Sequence, residues 1–323
     1  MKEECESEKQ MEPTIFAGSA NAPLAEAVAA KLNLPLGKRE VHRFPDGELH
    51  VEIQESVRGH DVYLVQPTNF PAEKHLLELL LLADASRRAG AARLTAIIPY
   101  LGYARQDRRA SGREAVAARL VAELLSCGGL LERVVTVDVH TGTIEGFFGI
   151  PMEHLSAVPM LVKSIGDDAG PDSVVVAPDL GAVKLAERYA KPLALPVAMV
   201  HKSRISGSEV SVRGTTGEVR GRKPIIVDDM ISTGGTIKAA IETLLEEGCE
   251  PQITVVASHG LFAGPALERL SGAPVRRFVV TDSVRRQEGL PLPLEVVSLA
   301  PLLAEAIERL YNDRSLDDLI AHA

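Results

Sequence analysis

Apolar residues recur along the chain with two alternating periods. Short β-branched runs predict strands at Thr14 to Gly18, Asp61 to Gln66, Arg93 to Tyr100 and Val134 to Val139. A second series follows at Ser173 to Ala177, Val197 to Val200, Ile225 to Val227, Ile253 to Ser258, Val275 to Val280 and Leu294 to Ser298. Helical spacing separates them. It predicts helices over Asn21 to Leu32, Ala72 to Ala89, Gly112 to Leu125, Gly181 to Ala190 and about Pro301 to Tyr311. Arg39 to Arg43 and Leu49 to Ile53 flank a turn at Phe44, Pro45, Asp46, Gly47 and Glu48. Strands alternating with helices predict parallel sheets covered by helices on both faces. The series runs twice, which places a boundary near Pro151 to Pro159. RLTAIIPYLGYARQDRR and RKPIIVDDMISTGG, both strand, charged loop and helix, form a weak internal echo.

The most informative unit is Lys223 to Gly248. The run Ile225, Ile226, Val227 leads into Asp228 and Asp229, then Ser232, Thr233, Gly234, Gly235 and Thr236. Ile237, Ala240, Ile241, Leu244 and Leu245 follow at helical spacing. A strand, a glycine turn and a helix N-terminus bring unpaired amides close to one point, which suits a phosphate. The hydroxyls of Ser232, Thr233 and Thr236 add donors. The two acids repel phosphate and suit sugar hydroxyls or a bound Mg²⁺. Together they describe a ribose 5-phosphate site. The plainer alternative is a capped helix after a strand with two solvated acids.

Composition narrows the field. The chain of 323 residues suits two domains, and 46% hydrophobic content supplies a sizeable core. Net charge is −9, from 35 basic and 44 acidic residues, which argues against nucleic acid or a membrane surface as partner. The longest apolar run, Leu76 to Ala83, suits a buried helix or a subunit interface and is too short to span a bilayer. MKEECESEKQ lacks the apolar core of a signal peptide and reads as a disordered tail, residues 1–12. Cys5, Cys127 and Cys249 are scattered and odd in number, as reduced cytoplasmic thiols would be.

Four further stretches carry possible chemistry. Arg105, Arg108, Arg109 and Arg113 crowd one loop after a strand, the edge where ligands bind in open α/β sheets. Arg105 and Gln106 suit a nucleotide's phosphates and base; a solvated helix-entry loop is the alternative. Asp138 and His140 alternate at a strand end, and His140 is a candidate for Mg²⁺ or phosphate contact, the alternative being a satisfied structural histidine. Asp179 stands where a strand gives way to a helix, and it suits either a metal or an N-cap. Val200 to Arg222 is rich in Gly, Ser and Thr and reads as a mobile loop or hairpin; Lys202 and Arg204 at its stem make it a lid candidate, the alternative being a solvated surface hairpin.

Taken together these segments resemble the ribose-phosphate pyrophosphokinase family, the phosphoribosyl-pyrophosphate (PRPP) synthetases, from about Ile15 to the end. RFPDGE is similar to that family's adenine-binding loop, and YARQDR to its ATP loop. DVHTGTIEGFFGIP is similar to its metal and ATP segment, and APDLGAVK to the segment with its second metal-side acid. HKSR resembles its catalytic flexible loop and VDDMISTGG its ribose-phosphate loop. Type I phosphoribosyltransferases share the last loop alone. The resemblance implies an α/β protein of two similar phosphoribosyltransferase-type domains. An ATP-side domain would span residues 13–155 and a ribose 5-phosphate domain 156–323, with the last helix free to pack back on the first.

The resemblance further implies Mg²⁺ as cofactor, ATP and ribose 5-phosphate as substrates, and a cytoplasmic homo-oligomer built from dimers in which a neighbour lends its adenine loop. It assigns ATP to Phe44, Asp46, Glu48, Arg105, Gln106 and His140, and Mg²⁺ to His140 and Asp179. Ribose 5-phosphate falls to Asp228, Asp229, Ser232, Thr233, Gly234, Gly235 and Thr236, and transition-state stabilisation to Lys202 and Arg204. The chain departs from the family pattern at Ser232, where Asp is common, at Pro45 and Ser203, and at Ala110 to Gly112, where the ADP-responsive members carry charges. Two other functions share these features: a catalytically silent regulatory relative, and a phosphoribosyltransferase, which would need neither the adenine loop nor the ATP loop.

Overall fold

The computed structural model describes residues 13–166, 169–205, 210–285 and 289–321, with the side chains of 202–213 left out. The tail assigned to residues 1–12 lies outside the described residues, as do the side chains of Lys202 and Arg204.

Two sheets carry the fold. In the first, β1 (Thr14–Ala17), β4 (Asp61–Val65), β5 (Arg93–Ile98), β6 (Arg133–Val137) and β7 (Met152–Leu155) lie in that order, all parallel. A bridge from Leu36 to Ile15 extends the sheet on the free side of β1. The second sheet runs β10 (Val210–Thr216), β9 (Val197–Ile205), β8 (Ser173–Ala177), β11 (Lys223–Ile231), β12 (Ile253–Gly260), β13 (Val275–Thr281) and β14 (Leu294–Val297). It is parallel except for the β9–β10 hairpin. The predicted strands at Arg39 to Arg43 and Leu49 to Ile53 pair as the antiparallel hairpin β2–β3, standing apart from both sheets.

Period-two alternation sends side chains to opposite faces. Phe16, Val62, Leu64, Leu94, Ala96 and Ile98 pack under α2 (Ala72–Arg88) and α3 (Ala117–Ser126). Ile15, Ala17, Tyr63, Val65 and Ile97 face the other way, into one cluster with Val175, Ala177, Ile225, Val227 and Val256 of the second sheet. That cluster includes residues of α1 (Ala22–Lys31), α4 (Val158–Ile165), α5 (Val183–Leu193) and α8 (Ala300–Tyr311), so a shared helical layer joins the sheets. α6 (Gly235–Glu246) and α7 (Ala266–Leu270) cover the outer face of the second sheet. Helix α8 packs on α1, and the Ala321 amide donates to His154 O at the edge of the first sheet.

The strand order is the same in both halves. The Leu36 segment, β1, β4, β5, β6 and β7 match β9, β8, β11, β12, β13 and β14. By position, β5 therefore corresponds to β12 and β4 to β11. The echo between YLGYARQDRR and DDMISTGG is a likeness of composition and not of topology. The hairpins β2–β3 and β9–β10 do correspond: β2–β3 follows the outermost parallel segment of its half, and β9–β10 is formed where that strand, β9, runs on past the sheet.

Three stretches differ from the pattern reading. Helix α3 starts at Ala117 and not at Gly112, because Glu114 accepts the amides of Ala110 and Ser111 and closes a turn there. The boundary stretch contains β7 and the start of α4. The third is α7, which at five residues is too short to show a period.

Candidate active site

Helix α6 begins behind Gly234, whose φ of 74° lies in the left-handed region that glycine tolerates. A Cβ at that position would stand 3.1 Å from the Leu270 side chain. No side chain caps the first turn of α6, so its amides face the loop that Ser232 and Thr233 complete. The loop is anchored from behind: Ser232 O accepts from Ala263 N, and Thr233 O from Arg269 Nη1. A cavity of about 200 Å³ opens in front of it. It is lined by residues 228–237 together with Arg105, His140 and Asp179. The fold thus brings the whole predicted ribose-phosphate set to one place, with one ATP-loop arginine and both candidate metal residues.

His140 comes from the first half and Asp229 from the second. Their Nδ1 and Oδ2 atoms lie 2.6 Å apart. The bond to Asp229 raises His140 above the ordinary imidazole value. Burial alone would raise Asp229, but the bond to His140 and its positive charge hold that carboxyl below its usual range. Asp228 behaves oppositely: burial, then the neighbouring Asp229 charge, push it well above the carboxylate range. A carboxyl so disfavoured as an anion gains from a cation arriving beside it.

Asp179 is an N-cap and also stands at the cavity. Its Oδ1 accepts from the amides of Gly181 and Ala182, capping the turn before α5, while the residue also lines the cavity with His140. A second cavity of about 690 Å³ shares His140, Asp179, Asp228 and Asp229 and adds Thr141, Thr143 and Lys184. Sequence reasoning did not single those three out, although each sits inside a motif it quoted. A third cavity, about 730 Å³, meets the first at Arg105 and Ser232 and includes Gln106. Phe44, Asp46 and Glu48 are not gathered here. They form the exposed tip of the β2–β3 hairpin, where Phe44 is 43% exposed and packs against His42 and His50. Among the described residues no group of three or more His, Cys, Asp or Glu forms a metal cage, and no helix is long and apolar enough to cross a membrane.

Fold and site define a two-domain protein of phosphoribosyltransferase type. Residues 13–129 match the family described as the N-terminal domain of ribose phosphate pyrophosphokinase, and residues 156–290 match the phosphoribosyl transferase domain. The ribose-phosphate pyrophosphokinase of Mesorhizobium japonicum is 44% identical over 310 residues, covering 94% of this chain and 99% of that protein. That of Caldanaerobacter subterraneus subsp. tengcongensis is 44% identical over 307 residues, covering 94% and 96%. The crystal structure of phosphoribosylpyrophosphate synthetase from Mycobacterium smegmatis aligns with a TM-score of 0.88 at 39% identity, covering 94% of this chain and 100% of that one. The chain belongs to the ribose-phosphate pyrophosphokinase family.

Proposed function

We propose that the chain transfers the pyrophosphoryl group of ATP to the 1-hydroxyl of ribose 5-phosphate, giving 5-phosphoribosyl 1-pyrophosphate and AMP. The observation that carries this reading is the contact of His140 with Asp229 across the two halves, at the mouth of the phosphate cradle. Residues 13–155 form the ATP side and 156–323 the ribose side. The α6 amides with Ser232, Thr233, Gly234, Gly235 and Thr236 hold the 5-phosphate, and Asp228 and Asp229 take the ribose hydroxyls. Arg105, Gln106 and His140 hold the nucleotide, and Phe44, Asp46 and Glu48 reach it from a neighbouring subunit of a homo-oligomer built from dimers. The exposed hairpin tip suits that loan. The protein works in the cytoplasm, without nucleic acid or membrane.

Magnesium fits the donors present. The described residues offer no closed cage, and Mg²⁺ is commonly held by one or two side chains plus substrate phosphates. His140 and Asp179 would hold it beside the desolvated Asp228. When bound, it neutralises charge on the phosphate oxygens. The chain's own part is to position and to exclude water. The cradle fixes the sugar so that its 1-hydroxyl oxygen forms a bond to the β-phosphorus. The bond from the β-phosphorus to the α,β-bridging oxygen breaks, AMP leaves with those electrons, and the proton of the 1-hydroxyl is released to solvent. Lys202 and Arg204, on the β9 arm of the hairpin, meet the charge that develops on the transferred group. Incubation with ATP, Mg²⁺ and ribose 5-phosphate tests the reading. AMP and PRPP form in equal amounts only when all three are present. ADP as product, or AMP release without the sugar, contradicts it.

A further inference from the structure

The strand end that delivers His140 also carries Asp138, whose side chain goes the other way. Asp138 is only 6% exposed, and its φ of 37° lies in the left-handed region that non-glycine residues seldom enter. That twist turns its carboxylate into the protein while the chain continues outward to His140. A buried carboxylate is costly unless its oxygens are hydrogen-bonded. Here Oδ1 accepts from Ser156 Oγ at 3.2 Å. Oδ2 accepts from Ala157 N at 3.0 Å and from Ser258 Oγ at 2.5 Å. Arg188 Nη2 donates to Ser156 Oγ at 2.6 Å, so a cation stands one hydroxyl away. Ser258 belongs to β12 of the second sheet, so the Asp138 carboxylate spans the two halves.

The backbone beside it is held as firmly. His259, 2% exposed and next to Ser258, donates from Nε2 toward Val137 O and Asp138 O at 3.2 and 3.1 Å. Its Nδ1 lies 2.9 Å from Ser283 Oγ. On the other side His154 Nε2 accepts from Val139 N at 2.9 Å. Each residue from Val137 to Val139 therefore has a partner, drawn from both halves, and His140 follows directly.

We infer that Asp138 is a positioning residue: its buried carboxylate, bonded to Ser258 of the second half, sets where His140 stands relative to Asp229 and so aligns the ATP side with the sugar side. This rests on the reading that His140 and Asp229 serve the site. Transfer between two bound substrates depends on their mutual placement, and a misplacement of about 1 Å can cost on the order of a hundredfold. The proposed sugar contacts come mainly from the second half and the nucleotide contacts from the first half and a neighbouring subunit, so a loosened latch lowers turnover more than binding.

The test uses Ser258, which is not among the residues proposed to hold substrate, although it lines the cavity that His140, Asp228 and Asp229 share. Ser258→Ala removes the bond from β12, leaving those from Ser156 and Ala157, and is expected to lower kcat about tenfold while KM for ATP and for ribose 5-phosphate stay within about twofold. Ser258→Thr keeps the hydroxyl and restores kcat. Asp138→Asn, which loses the charge-assisted bonds, lowers kcat at least as far, again with KM little changed. Wild-type kcat in Ser258→Ala overturns the proposal. So does a loss carried by KM, or a failure of Ser258→Thr to restore kcat when its melting temperature matches wild type. His140→Ala separates the two readings. Full activity there sinks the site assignment itself, whereas an inactive His140→Ala beside an unimpaired Ser258→Ala sinks only the latch.

Discussion

The loops after β4 and β11 occupy the same position in the two halves, yet only the second presents the uncapped amides of a long helix to its cavity, while the first lines a different cavity with Arg105 and Gln106. After β11 the turn passes through a left-handed glycine, and the first amides of α6 are left uncapped in front of a cavity. After β4 the corresponding turn is tied down on one side by its own half. Thr68 N donates to Tyr100 O, and Gly102 N to Thr68 Oγ1. A Cβ on Gly102 would stand 2.2 Å from Thr68 O, which shows how closely the neighbouring loop is pressed down. The Gln66 side chain is spent on Ala20 N and His75 O. Topology supplies the edge of the sheet in both cases. Whether that edge binds a phosphate depends on which donors the loop leaves unspent.

The hairpins sharpen the same contrast, because β2–β3 and β9–β10 are also equivalent by position. The first ends in the aromatic Phe44 and two acids, the second carries Lys202 and Arg204. If the cations act on charge that develops in transfer, Lys202→Ala and Arg204→Ala should each cost on the order of 10²–10³ in kcat. Nucleotide KM moves far less, and the double variant loses less than the product of the singles. Steady-state AMP release measures this. Near-wild-type kcat in both singles removes the cationic hairpin from the mechanism.

The glycine comes next in size. Gly234→Ala forces a Cβ into the left-handed region, at about 1–2 kcal/mol, and against Leu270. It should lower the melting temperature and raise KM for ribose 5-phosphate on the order of tenfold, equivalent to about 1.4 kcal/mol. Asn69→Ala, in the tied-down loop of the first half, should leave that KM unchanged. Equal effects of the two substitutions would erase the distinction between the loops. A smaller effect belongs to Ser232, where a hydroxyl stands in the place of the family's common Asp. Ser232→Ala should raise the same KM a fewfold with kcat kept, and a fall in kcat at constant KM would place the hydroxyl in the transition state instead.

Much of this contrast was legible before any coordinates. Asp228 to Thr236 announced the turn and the cluster of hydroxyls and acids that lines one cavity. The β2–β3 hairpin was legible residue by residue, since a Pro-Asp-Gly turn fixes the register on either side. What stayed hidden depends on long-range pairing. The shared helical layer joins Leu24 and Val28 to Leu303 and Ile307, nearly the whole chain apart, and no local period encodes that. The short strand β7, with Glu153 and His154 at its centre, has too few apolar positions to alternate visibly. Asp138 reads in sequence as one more acid near a metal candidate. Only its left-handed backbone and the arrival of Ser258 from 120 residues away show that it faces inward.

The smallest effect is on stability. Burial holds His154 and His259 below the ordinary imidazole value of 6.5. For a group whose folded value is depressed, the unfolded chain takes up the proton first. The stability each contributes is therefore complete above about pH 6.5 and is lost as pH falls toward the folded value. His154 Nε2 must also stay unprotonated to accept from Val139 N. His154→Gln should flatten the fall in melting temperature between about pH 6.5 and 5 relative to wild type. An unchanged slope would mean that His154 titrates alike in both states.

The central claim is that one of two equivalent loops holds the sugar phosphate. Amide hydrogen exchange, with and without saturating ribose 5-phosphate, tests it most directly. Slower exchange across peptides covering residues 228–237, with no change across 66–74, is the predicted result. Protection of 66–74, or of neither loop at a concentration that supports turnover, would contradict it.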